Sequence, residues 1–191
     1  MFRFQIVKAV SAALMLLLVP TALAQEAPAP QPNEQERALQ SMQFMLQRAE
    51  IVRMLAAEHL QYLNENRNQS AFHLLEEASQ VMAYNLICAD DAMDVRTLNT
   101  IAAKSTLQVA TLINQSPINT KITDIMGALN ERDRLILMGD ISTTVVMFKI
   151  GRRRGLFDAL LTDFGAKRFC SGMGNDMRRR YNGLVAGLGS E

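Results

Sequence analysis

The sequence predicts an all-α fold, a single-domain bundle of about five to seven helices, on three observations. Apolar residues recur at spacings of 3 and 4 through most of the chain, the helical period. Only one segment, Ile141 to Val146 within 135–150, is rich in β-branched residues, and no second strand candidate exists to satisfy its backbone, so it too reads as helix. Two cysteines, Cys88 and Cys170, stand far apart and suit a single staple across such a bundle.

The first residues are set apart from this domain. Arg3 and Lys8 precede a short apolar run that ends at Pro20, and Ala22 and Ala24 occupy the −3 and −1 positions of a cut after Ala24. That order is the pattern of a secretory signal, and the apolar run is short for a membrane span of ~20 residues. Residues 1–24 are therefore expected to be a cleaved signal peptide that leaves no transmembrane anchor. Residues 25–32, with three prolines and no large apolar side chain, form a flexible leader, and 33–191 form the helical domain.

Asn33 with Glu36 three residues on is a capping pair that starts the first helix. Behind it Leu39, Met42, Leu46, Ala49, Val52, Ala56, Leu60 and Leu63 make one long stripe, ending near 64–68. Ser70 is placed to cap a second helix through Phe72, Leu75, Ala78, Val81 or Met82, and Leu86, reaching Cys88. The short polar connection predicts that the two helices pack as a long antiparallel hairpin. Asp90, Asp91 and Asp94 precede a third helix over 95–114, with Leu98, Ile101, Ser105, Val109 and Leu112 on one side. Ser116 and Pro117 signal another start. After the helix over 135–150, the run Gly151 to Gly155 reads as a turn, 156–164 as a helix, and 166–188 as a final helical region dotted with glycines.

Charge is distributed unevenly. Without Arg3 and Lys8 the chain carries 18 basic and 19 acidic residues, a near-neutral total that argues against a dedicated nucleic-acid binder. Yet 149–181 holds 9 basic residues against 3 acidic ones, and 25–148 the reverse imbalance, 9 against 15. Lys149, Arg152, Arg153 and Arg154 on the expected turn, together with Arg178, Arg179 and Arg180, are the candidate contacts for an anionic surface or an envelope protein. In the second set, ~100° per residue on a helix prevents all three from facing one ligand, so at least one should turn to a neighbouring carboxylate. No aromatic side chains interleave with the arginines, which disfavours single-stranded nucleic acid.

Other chemistry finds less support. In an oxidising compartment an even cysteine count favours the Cys88–Cys170 bond over a reactive thiol, although Lys167 and Arg168 would favour a thiolate. The Ser171 to Gly174 segment lacks both the third glycine and the lysine of phosphate-binding loops, so its glycines, with Gly183 and Gly187, read as points of close helix approach. His59 and His73 sit at similar distances from the hairpin turn, near Glu58, Glu76 and Glu77, and are the only metal-site candidates, without a ligand spacing to support them. Met42 with Met45, and Met173 with Met177, fall at core spacing as readily as at copper-ligand spacing.

No catalytic constellation and no cofactor motif emerges. The function expected is an exported, periplasmic or secreted, non-catalytic binding or scaffold protein of the cell envelope. The alternative is a carrier of a small molecule, lipid or metal, using a pocket between helices or the His59 and His73 region.

Overall fold

A computed structural model describes residues 33–127 and 130–189. The expected signal peptide and leader lie outside the described residues. Among these there are six helices and no strand: α1 Glu34–Glu65, α2 Ser70–Cys88, α3 Val95–Ile113, α4 Ile118–Met126, α5 Glu131–Phe164 and α6 Ala166–Leu188. None of them is long and apolar enough to cross a membrane.

The helix starts follow local chemistry. The Asn33 side chain accepts from the Glu36 amide while the Glu36 carboxylate accepts from the Asn33 amide, so two orphan donors of α1 are satisfied reciprocally. The Asp94 carboxylate accepts from the Thr97 amide at the head of α3, and the Asn130 side chain accepts from the Asp133 amide at the head of α5. Ser70 does not cap α2. It is the first helical residue, and Gln69 before it makes no side-chain cap. Gly165, at φ +78°, turns the chain between α5 and α6 in a region that side chains with a Cβ rarely enter.

α5 is the spine of the molecule. At 1.5 Å per residue its 34 residues span about 51 Å. Leu137, Met138, Ile141, Val145, Val146 and Ile150 are all buried along it. α1, α2, α3 and α6 pack on it. This alters two expectations. The hairpin of α1 and α2 is opened out, because each helix packs on α5 rather than along the other. Arg48 of α1 reaches Asp140, while Glu76 of α2 reaches Lys149 and Arg153, so the two helices use successive stretches of one surface. Arg152, Arg153 and Arg154 do not sit on a turn: Gly151 and Gly155 lie inside α5. A glycine in a helix interior costs roughly 1 kcal/mol relative to alanine, and the burial of Ile150 and Phe157 on either side holds the helix through both.

The stripe of α1 is divided. Val52, Ala56, Leu60 and Leu63, joined by Leu55 and His59, are buried, whereas Leu39, Met42, Leu46 and Ala49 are exposed. Nearly all of α1 before Ile51 stands clear of the core, since only Arg48 is partly covered there. In α2, Phe72, Leu75, Ala78 and Val81 are buried as the spacing predicts, while Leu86 at the last turn is 60% exposed. In α3, Leu98, Ile101, Ser105 and Val109 are buried and Leu112 is half-buried.

At the far end of α5 the core closes through aromatic rings. Phe157 and Phe169 lie 5.4 Å apart between centroids, and Tyr84 of α2 lies 6.4 Å from Phe169. There Cys88 and Cys170 are joined, their Cα atoms 5.7 Å apart, tying the end of α2 to the first turns of α6.

Candidate functional site

The sequence-predicted basic residues are separated into a cleft and a set of structural ion pairs. The cleft, about 430 Å³, opens where the end of α1 and the following turn meet α2 and α5. α1 and the turn supply Asn64 and Arg67, α2 supplies Phe72, Glu76 and Gln80, and α5 supplies Lys149, Arg152, Arg153 and Leu156. Lys149 is carried into the interior by its place on the buried face of α5, between Val146 and Ile150, and its side chain is only 7% exposed. Its ammonium lies 5.0 Å from the centroid of the Phe72 ring, a cation–π distance, and pairs with Glu76. The Arg153 guanidinium donates to the other Glu76 oxygen at 2.5 Å.

One carboxylate thus serves two partly buried cations. Burial pushes the Glu76 carboxyl upward, but hydrogen bonds and charge from Lys149 and Arg153 outweigh it and hold the group below the usual carboxylate range. Glu76 is therefore ionised at neutral pH and acts as a counter-ion, not as an acid or base. The two other cations of the wall have no carboxylate partner among the described residues: Arg67 donates to the Asn64 carbonyl at 2.9 Å, and Arg152 is exposed. Four cations facing one carboxylate leave a field suited to a multiply charged anion, with the Phe72 ring and Leu156 as apolar walls.

The other candidate arginines are engaged within the fold. Arg154 pairs loosely with Asp158 at 3.9 Å, one helical turn on. Arg178 reaches Asp90 at 2.9 Å, and that hydrogen bond holds the Asp90 carboxyl below its ordinary value. Arg179 and Arg180 share Asp176, and Arg180 also reaches Glu77 on α2 at 2.5 Å. Two of the three final arginines therefore turn to carboxylates on other elements, as the helical rotation requires, and cross-link α6 to α2 and to the loop after it. Asp90 does more than the sequence suggests, since it also accepts from the Ala92 amide.

The metal candidates are not gathered. His59 is fully buried, with Nε2 donating to the Val109 carbonyl at 3.1 Å, and burial holds its imidazole below the ordinary value. His73 is exposed on α2 near Phe72, while Glu76 and Glu77 are committed to cations, and Glu58 pairs with Lys121. Among the described residues no three His, Cys, Asp or Glu side chains form a metal-holding group. Met177 is in the core, Met173 is half-buried, and Met42 and Met45 are exposed on α1. Of the α6 glycines only Gly174 would bring an added Cβ within 4 Å of another element, at Tyr84, so room for a close helix approach explains that one and not Gly172, Gly183 or Gly187, whose carbonyl accepts from Lys104.

Two features escaped the sequence reading. Arg67 joins the cleft from a polar turn that carries no signal of what α5 will bring beside it. The exposed half of α1 presents Leu39, Met42, Phe44, Met45 and Leu46, and beneath it a groove of about 380 Å³ runs between Phe44 and Ile51 of α1 and Ile136 and Leu137 of α5. The apolar spacing was visible there, but its exposure among the described residues was not. Comparison with protein-family models, with curated proteins and with solved structures gives no match for the chain.

Proposed function

We propose that the chain is an exported, non-catalytic binding protein of the cell envelope that holds an anionic group in the cleft between Arg67 and Arg152. The observation that carries this reading is the charge imbalance of the cleft wall, where Arg67, Lys149, Arg152 and Arg153 face the single carboxylate of Glu76. Arg178 and Arg180 are matched by carboxylates elsewhere in this molecule, and Lys149 and Arg153 share Glu76, whereas the exposed Arg67 and Arg152 have no carboxylate partner among the described residues. An anion supplied from outside completes the same pattern. The commitment of Glu76 as counter-ion to Lys149 and Arg153 supports a binding role, and the residue pattern before Asn33 supports export.

Calorimetric titration with inorganic pyrophosphate tests the cleft. The unchanged chain is expected to bind it with an affinity that falls as salt rises, and the double change Arg67→Ala with Arg152→Ala is expected to weaken binding by about tenfold or more. Equal binding by the two proteins would remove the cleft as the anion site.

A further inference from the structure

The cleft does not end at Leu156. That residue begins a ridge at four-residue spacing along α5, Leu156, Leu160 and Phe164, which are 51%, 38% and 54% exposed. Residues four apart on a helix are surface neighbours, so the three side chains form one continuous apolar strip. At its far end the chain turns at Gly165, and Lys167 and Arg168 border a shallow concavity with Phe164. The Arg168 guanidinium lies 5.9 Å from the Phe164 ring centroid. From Arg152 to Phe164 the distance along the helix is about 18 Å.

The strip is cationic at both ends. Arg67 and Arg152 stand at one, Lys167 and Arg168 at the other, and none of the four has a carboxylate partner among the described residues. The acids nearby in sequence are Asp158, opposite Arg154, and Asp163, which is exposed. We propose, building on the anion-binding reading above, that this face seats the protein on an anionic membrane surface. The Arg67 and Arg152 cleft would take a lipid phosphate, and Leu156, Leu160 and Phe164 would enter the boundary between headgroups and acyl chains. A small free anion uses only the cleft and leaves the exposed apolar strip without a role. A bilayer with acidic headgroups meets both chemistries over one surface, with cations at headgroup level and apolar side chains just below.

Co-sedimentation of the full chain with vesicles tests this. Vesicles of phosphatidylglycerol with phosphatidylcholine are expected to bind the protein, and pure phosphatidylcholine vesicles are not, with binding weakened by salt. The double change Arg67→Glu with Arg152→Glu is expected to reduce binding by about tenfold or more. The double change of Leu160 and Phe164 to Ser, both outside the cleft wall, is expected to reduce it similarly, while leaving the circular dichroism spectrum and the pyrophosphate titration unchanged. Vesicle binding that survives the Leu160 and Phe164 double change, or that is lost instead when Leu39 and Leu46 on the exposed half of α1 are made Ser, would overturn the membrane assignment. If pyrophosphate still binds through Arg67 and Arg152 while phosphatidylglycerol vesicles do not, the cleft reading stands and the membrane inference fails. If neither binds, both fail.

Discussion

His59 shows how a single side chain can set the acid limit of this fold. Its ring is buried between α1 and α3, lies 5.9 Å from the Tyr62 ring, and donates through Nε2 to Val109, leaving Nδ1 buried without a partner. The sequence offered His59 as a metal candidate because histidine type is legible and burial is not. Burial lowers its proton affinity in the fold, only partly offset by the Val109 bond, whereas in the unfolded chain it titrates near the ordinary 6.5. Below that value the unfolded chain takes up a proton that the folded chain refuses, so stability falls as pH drops, by up to about 1.4 kcal/mol per pH unit until the lowered folded value is reached. Urea denaturation is expected to show this loss as the pH falls below 6.5, and His59→Leu is expected to flatten that part of the profile.

At the scale of elements, the caps of α1 and α3 were legible, while the start of α2 and the packing partners were not. Asn33 with Glu36, and Asp94, mark the starts of α1 and α3 because the hydrogen bonds involved span only three residues. The interior of α5 was misread because two glycines around three arginines have the composition of a turn. Nothing local records that residues on both sides of this segment are held by buried contacts. The glycines offer a test of that packing. Gly172 of α6 has nothing within 4 Å of where a Cβ would stand, so Gly172→Ala is expected to raise unfolding stability by about 0.5 to 1 kcal/mol. A Cβ on Gly174 would lie 3.2 Å from the Tyr84 hydroxyl, which donates to the Cys170 carbonyl at 3.1 Å. Gly174→Ala is therefore expected to lower stability, and thermal denaturation of the two variants should move in opposite directions.

For the whole molecule, the fold class and the disulfide were readable because both rest on short inventories: one helical period, no second strand, two cysteines. The cleft was only half readable. Sequence counts cations, but which of them meet carboxylates depends on contacts such as Arg180 with Glu77, more than a hundred residues apart. The Cys88–Cys170 bond closes an 82-residue separation, for which the chain-entropy relation gives about 4 to 5 kcal/mol of stabilisation. Cys170→Ser and Cys88→Ser are each expected to lose about that much in urea denaturation, and reduction of the unchanged chain should match them.

The role of α5 as spine has a consequence in time. A ribosome delivers α1 and α2 first, yet the surface on which both pack belongs to a helix that begins at Glu131. At typical synthesis rates of roughly 5 to 20 residues per second, Cys170 follows Cys88 by roughly 4 to 16 seconds. Within that interval α3 and then α5 arrive to cover the apolar faces of the two leading helices, while the thiol of Cys88 waits for the other cysteine. The bond that ties α2 to α6 can therefore close only after the whole of α5 has been made.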